Sequence, residues 1–167
     1  MLKITWHNGE PPKDMPVRQV YAIAFDIKGR VLLKVENKKD KKVYSMFGGT
    51  PEDFDKDRIA TLKREFVEEA NTTLKDPIYL VGYQKIEGDG DRPTYAQLRM
   101  VALIDKIGQK QPDPDNGETY DRILVAPEKA IELLNWGEVG GQQIKAAYKI
   151  VQEKFGTTTT EHSIALV

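Results

Sequence analysis

Short segments rich in apolar residues recur along the chain and predict a β-rich fold. The clearest pair is 17–26 and 31–37, which contain many β-branched and aliphatic residues and are separated by a turn at 27–30. Their apolar density is typical of central strands that are covered on both faces of a sheet. Further strands are predicted at 2–6, 43–47, 78–86, 95–105 and 120–125.

A helix with an apolar stripe is predicted between the strand at 43–47 and the strand at 78–86. Its stripe consists of Ile59, Leu62, Phe66 and Ala70, which recur at helical spacing, with Val67 beside them. Asp55 or Asp57 can cap its first turn, and Asn71 can end it in the left-handed conformation.

Two more helices are predicted near the end of the chain, at 127–134 and 142–155. Pro127 is well placed as the first residue of the former, and the glycine pair Gly140–Gly141 is expected to break the chain before the latter. The order of elements predicts an α/β (α+β) fold in which helices cover both faces of a mixed sheet.

The length of 167 residues predicts one domain, which we place at 1–156, followed by a flexible tail at 157–167. Ile164–Val167 could instead add a strand or pack on a partner. The net charge of −1 argues against a protein that binds a nucleic acid polymer. The absence of cysteine fits a reducing compartment, and no apolar run reaches the ~20 residues of a membrane span. The N-terminus lacks the apolar core of a signal peptide, so we expect a cytoplasmic protein with no membrane partner.

Three glutamates, Glu65, Glu68 and Glu69, fall on one face of the first predicted helix. Their mutual repulsion predicts a compensating hard divalent cation bound through oxygen. The alternative is a solvated acidic face balanced by Lys63 and Arg64. The glycine pair Gly48–Gly49 favours the binding site, because glycine lets the backbone approach a ligand closely.

Residues 48–71 resemble the Nudix box, G-x5-E-x7-R-E-U-x-E-E-x-G-U, where U is a bulky aliphatic residue. The core REFVEE at 64–69 matches the pattern, and the hairpin that contains GRVLL precedes the box as it commonly does in that family. Asp55 stands in place of the first glutamate of the box, with one extra residue between it and Arg64. Asn71 replaces the last glycine of the box, and Phe47 a proline that usually precedes the glycine pair. The resemblance implies an α/β/α sandwich with a mixed central sheet.

The resemblance also implies roles for the residues that match. Glu65, Glu68 and Glu69, with the backbone carbonyl of Gly48, would bind Mg²⁺ or Mn²⁺. Arg64 would orient a carboxylate, with Asp55 as its partner. The substrate-binding residues would be Gly48, Gly49 and Asp55.

A long polar loop at 106–119 supplies one more candidate. Long loops in compact domains are often functional, and we therefore name Glu118 as a further catalytic or metal-binding carboxylate, with Asp115 behind it. The alternative for either residue is a solvent-exposed acid in a turn.

The function implied is a metal-dependent hydrolase that cleaves the pyrophosphate linkage of a nucleoside diphosphate joined to another moiety. The alternative is a Nudix-like module that binds nucleotides, for regulation, with weak or no activity. An isomerase that resembles isopentenyl-diphosphate isomerase is set aside, because such enzymes rely on a catalytic cysteine and the chain has none. The partner is expected to be a small nucleotide, whose identity the box does not specify. Many members of the family are dimers, so a homodimer is one expectation.

Overall fold

The computed structural model describes residues 2–167 and contains one mixed sheet with helices on both faces. The strands are β1 (Lys3–Asn8), β2 (Val17–Phe25), β3 (Val31–Lys38), β4 (Lys41–Ser45), β5 (Phe47–Gly49), β6 (Thr72–Leu74), β7 (Tyr79–Glu87), β8 (Tyr95–Ile107), β9 (Asp121–Val125) and β10 (Ala165–Leu166). The helices are α1 (Arg58–Ala70), α2 (Pro127–Leu134) and α3 (Gly137–Phe155). Among the described residues, no helix is long and apolar enough to cross a membrane.

The main path of the sheet runs in the order β1-β7-β8-β2-β3-β9-β10, and the three short strands join it from the side. β4 pairs with β3, β5 with β2, and β6 with β8. Only the central pair β2–β8 is parallel among the described strands. The predicted mixed sheet and α/β/α layering are confirmed.

Alternation along the strands divides the buried residues between two layers, as a period of two requires. Val20 and Leu98 face α1, where they form a cluster with Leu62 and Phe66. Residues of the opposite parity, such as Ile23, face α2 and α3 and pack with their apolar residues. Residues on the α1 face therefore lie next to the acidic helix, and residues on the other face lie under α3.

One predicted boundary, and the burial of one apolar residue, differ from the structure. α3 begins at Gly137 and runs through Gly140–Gly141, so the expected break before residue 142 is wrong. Isolated glycines weaken a helix by about 1 kcal/mol but do not stop one whose other residues pack well. Val67, expected beside the apolar stripe of α1, is 41% exposed.

The last residues are packed against the sheet, which differs from the flexible tail predicted for 157–167. The Thr160 N–H donates to the carbonyl of Lys28 (3.0 Å), and β10 pairs with β9 at the sheet edge. The Nε of Arg122 donates to the carbonyl of Val167 at 3.2 Å. The alternative of an added strand at the very end of the chain is the one that the structure contains.

Candidate functional site

Helix α1 places its glutamates at the edge of the core. The helix begins after Asp57, whose carboxylate accepts a hydrogen bond from the Ala60 N–H at 2.8 Å, and it ends at Asn71 in the left-handed conformation. Because Leu62 and Phe66 pack on the sheet, Glu65 and Glu69 are drawn into the same buried layer. Glu68 lies one step further round and is only partly buried.

The glycine pair brings strand β5 against two of these carboxylates. A side chain at Gly49 would overlap the carboxylate of Glu65, with Oε2 only 2.7 Å from its Cβ. Gly48 has φ of +148°, and a side chain there would lie 2.6 Å from the Cα of Tyr21. Its N–H donates to Oε1 of Glu69 at 3.3 Å. The predicted close approach of the glycine backbone is therefore to the glutamates themselves.

Arg64 connects the box loop with the helix. Its Nε and Nη2 contact the two oxygens of Asp55 at 3.1 and 2.9 Å, and Nη2 also donates to the carbonyl of Thr50. Its Nη1 lies 3.0 Å from both Glu65 and Glu68. The hydrogen bonds from Arg64 hold the pKa of Asp55 far below its usual range. The shorter carboxylate therefore makes the bidentate contact that the resemblance implies, despite the extra residue.

Lys34, on strand β3, is a residue that the sequence analysis missed. Its Nζ lies 2.6 Å from Oε2 of Glu69, and it also lies over the rings of Tyr120 and Phe47. Burial lowers the pKa of Lys34, but the charge and hydrogen bond of Glu69 outweigh burial and raise it. A single lysine inside the apolar run VLLKV was the available signal.

Burial is the main reason that two of the glutamates resist ionisation. It raises the pKa of Glu65 to about 7, against the opposing charge of Arg64. It also raises the pKa of Glu69, although Lys34 and the Gly48 N–H both favour the charged form. The repulsion between the carboxylates adds to this effect and is secondary to burial.

Glu118 is not brought into contact with the helix. Its side chain is exposed, and it lines a separate cleft together with Glu36 and Thr119. Asp115 is likewise exposed, whereas Asp113 in the same loop is buried and close enough to raise the pKa of Glu69. A catalytic role for Glu118 stays a prediction. The conformation of its loop could not be derived from the sequence.

The donor set of α1 fits a hard divalent cation in its chemistry but not in its present arrangement. Among residues 2–167, no group of three or more His, Cys, Asp or Glu side chains is arranged to hold a metal ion. The carboxylates instead contact Lys34 and Arg64, which supply positive charge from within the protein. Glu65, Glu68 and Glu69 are oxygen donors on consecutive turns, so rotation of these side chains away from the two cations would provide the oxygens that Mg²⁺ or Mn²⁺ requires.

A cavity of about 640 Å³ extends from this site across the α3 face of the sheet. It is lined by Ile4, Tyr21, Lys34, Glu36, Ser45, Met46, Gln84, Gln97, Arg99, Trp136 and Val139. Lys34 belongs both to the cavity wall and to the ion pair with Glu69, so the cavity and the acidic helix are adjacent. The volume is in the range of sites that bind small ligands.

Arg99 is the second residue that the sequence analysis missed, and it lines the cavity. It is 3% exposed, and burial lowers its pKa to about 10. Its guanidinium lies 4.8 Å from the ring centre of Tyr21 and 5.9 Å from that of Trp136. Such contacts contribute about 0.5–2 kcal/mol each, whereas burying an unpaired ion costs several kcal/mol. The arginine within LRMVAL was its only signal in the sequence.

A family model for the NUDIX domain matches residues 15–147. The search of curated proteins gave no match. Several solved structures share the fold at low sequence identity. The Bacillus subtilis pyrophosphohydrolase BsRppH superposes with a TM-score of 0.64 and 17% identity, over 87% of this chain and 90% of that one.

Two further structures give the same result. A NUDIX hydrolase from Nitrosomonas europaea has a TM-score of 0.61 and 16% identity, over 80% of this chain and 89% of that one. The ORF135 protein of E. coli has a TM-score of 0.59 and 19% identity, over 87% and 98% of the two chains. At these identities the superpositions establish the fold alone.

Proposed function

We propose that this chain, which belongs to the Nudix family, is a pyrophosphohydrolase that cleaves a nucleoside diphosphate joined to another moiety, with the help of Mg²⁺ or Mn²⁺. The bond broken is a P–O bond of the pyrophosphate linkage, and water is the nucleophile. The observation that carries this proposal is the pair of buried carboxylates on α1, Glu65 and Glu69, beside a cavity large enough for a small ligand.

Glu65, Glu68 and Glu69 would hold the metal, with the Gly48 carbonyl as a further ligand. When bound, the metal would neutralise charge on the phosphoryl oxygens and lower the pKa of a bound water. The protein side chains keep the site ready for this. Gly49 allows Glu65 to approach the strand, and Lys34 holds Glu69 in an ion pair.

Arg64 positions the loop and the helix relative to each other. Its bidentate contact with Asp55 fixes the segment that follows the glycine pair, and Gly48, Gly49 and Asp55 thereby shape the substrate side of the site. Glu118, in the neighbouring cleft, is a further catalytic candidate. A homodimer and a cytoplasmic location remain expectations from the sequence.

The test measures phosphate release from a panel of nucleoside diphosphate conjugates with Mg²⁺, with Mn²⁺ and with EDTA. The wild-type protein should turn over at least one conjugate only with metal. The double variant Glu68→Gln/Glu69→Gln should lose at least ~100-fold in kcat. Glu153→Gln, the same change on the exposed side of α3, is the matched control and should keep full activity.

One observation favours a second function. Lys34 and Arg64 already neutralise the carboxylates, which would suit a module that binds nucleotides without turnover. In that case no conjugate would be hydrolysed with either metal, while nucleotides would still raise the melting temperature. Metal-dependent turnover that Glu68→Gln/Glu69→Gln abolishes would exclude this function.

A further inference from the structure

One positive charge in the cavity, that of Arg99, is hydrogen-bonded to neutral acceptors. Arg99 donates from Nε to Oε1 of Gln143 (2.8 Å), from Nη2 to Oε1 of Gln84 (2.6 Å) and from Nη1 to the carbonyl of Leu98 (3.2 Å). All three acceptors are neutral, and within residues 2–167 Arg99 makes no ion pair with a carboxylate. A buried charge without a partner is costly, so the site requires an explanation.

The carboxamide of Gln143 is oriented towards this arginine. It is fully buried, and its carboxamide oxygen faces the guanidinium. Its Nε2 consequently has no hydrogen-bond partner, and it is the only buried side-chain nitrogen or oxygen in that state among the residues described. The described residues that accept hydrogen bonds from Arg99 are therefore all neutral.

The guanidinium also has unused donors. Arginine has five N–H groups, and the three hydrogen bonds described above use three of them. Arg99 lines the cavity that Lys34 also lines, between the rings of Tyr21 and Trp136. A planar guanidinium with two free N–H groups is suited to a phosphate or a carboxylate.

We propose that Arg99 binds an anionic oxygen group, a phosphate or a carboxylate, in the part of the substrate that occupies this cavity, away from the pyrophosphate that is cleaved. The proposal rests on the proposed function for the identity of the ligand as a substrate. It makes Arg99 a specificity residue: conjugates with a second anionic group are preferred over otherwise identical neutral ones.

Two pairs of conjugates isolate the proposed group. UDP-glucuronate and UDP-glucose differ in one carboxylate, and NADPH and NADH differ in one phosphate, so the two pairs also distinguish the two sources of charge. We expect kcat/KM, and the affinity measured in EDTA by calorimetry, to favour the charged member of at least one pair by tenfold or more. Arg99→Met should reduce that preference to within about twofold.

The control is Arg18→Met, which removes another arginine that lies over a tyrosine ring but is exposed and outside the cavity. It should keep the wild-type preference, and Arg99→Lys should keep part of it. Equal values within both pairs for the wild-type protein would overturn the proposal. So would a preference that persists in Arg99→Met, which would show that Arg99 is only a structural link between β8 and α3.

A measurement on the wild-type chain covers the case in which Arg99→Met does not fold. The Nε–H resonance of Arg99, assigned as the one missing in Arg99→Lys, should shift on titration with inorganic phosphate in EDTA. No shift would overturn the proposal. Turnover without discrimination within either pair would contradict this proposal alone, whereas discrimination in binding without any turnover would contradict the proposed function alone.

Discussion

The acidic helix α1 and the surroundings of Arg99 contain buried charge of opposite sign. Around α1, Arg64 and Lys34 together contact five carboxylates, those of Glu36, Asp55, Glu65, Glu68 and Glu69, and negative charge is in excess. At Arg99 a cation is buried among neutral acceptors, and positive charge is in excess. One end of the site therefore lacks a cation and the other lacks an anion.

This difference in charge would orient a bound substrate. A substrate that brings a divalent cation with its pyrophosphate would complete the acidic end, and an anionic group elsewhere on the same molecule would complete the Arg99 end. Since each end repels the charge that the other requires, a substrate with both groups has one favourable orientation. Substitutions at the two ends test them separately.

The largest effect is expected for Lys34→Met, which leaves Glu69 buried without its cation. Loss of one partner from a buried ion pair costs about 3–5 kcal/mol. We therefore expect the free energy of unfolding to fall by that amount in EDTA at pH 8, as measured by urea denaturation. Mg²⁺ should restore much of the loss, because a bound metal would neutralise the same carboxylate.

Two controls accompany Lys34→Met. The double variant Lys34→Met/Glu69→Gln removes both charges and should recover most of the stability without metal. Arg99→Met leaves the acidic helix unchanged, so Mg²⁺ should stabilise it no more than it stabilises the wild type. If Mg²⁺ rescued Arg99→Met and not Lys34→Met, the assignment of the two ends would be reversed.

A slightly smaller effect is expected at Glu65 and depends on pH. Its pKa is about 7 in the folded protein and 4.5 as an ordinary glutamate, so the folded state binds the proton more tightly than the unfolded state. The contribution of Glu65 to stability is therefore greatest below pH 4.5 and is lost as the pH rises to about 7, by about 3 kcal/mol in EDTA. Glu65→Gln, which cannot ionise, should remove this loss.

The measurement is a series of urea denaturation curves from pH 4 to pH 8, for the wild type, Glu65→Gln and the exposed control Glu153→Gln. Glu65→Gln should have a larger free energy of unfolding than the wild type only above about pH 5. Glu153→Gln should have the same free energy of unfolding as the wild type at every pH. Parallel curves for all three proteins would show that Glu65 ionises normally. Added Mg²⁺ should reduce the difference, because the metal stabilises the ionised carboxylate.

The acidic end was largely predictable from the sequence, because its geometry is local. Helical periodicity places Glu65, Glu68 and Glu69 together, and Asn71 ends the helix as predicted. The contact between Arg64 and Asp55 spans only nine residues. Which of the three glutamates are buried was not predictable, since it depends on how α1 packs on the sheet.

The Arg99 end could not be predicted, because its neighbours come from distant parts of the chain. Alternation places Arg99 on the α3 face, but Gln84, Tyr21 and Gln143 reach it only through strand order and helix packing. Lys34 was missed for the same reason, since Glu69 is 35 residues away. The role of Glu118 stays a prediction, because the structure places it in a cleft with Thr119 and Glu36 and shows no contact that would test it.

The two glycine pairs also distinguish the two ends, and they give the smallest predicted effects. Gly49→Ala would push a methyl group into the carboxylate of Glu65, with Oε2 at 2.7 Å, and should cost about 1–3 kcal/mol by overpacking. Gly141→Ala is the matched change beside the cavity. Its Cβ would meet only Ile131, at 3.8 Å, inside the continuous helix α3. We expect it to stabilise the protein by about 0.5–1 kcal/mol through the helix preference of alanine.

Thermal or urea unfolding of the two variants compares them directly, and phosphate release adds a functional readout. Gly49→Ala should lose activity together with stability, because the displaced Glu65 is a proposed metal ligand, whereas Gly141→Ala should keep its activity. The two glycine pairs thus differ in their role. Gly48–Gly49 allows a carboxylate to approach a strand, whereas Gly140–Gly141 lies within a helix that continues through it. If Gly141→Ala were the more damaging change, the helix would not be continuous there, and the wall of the cavity near Trp136 would have to be placed differently.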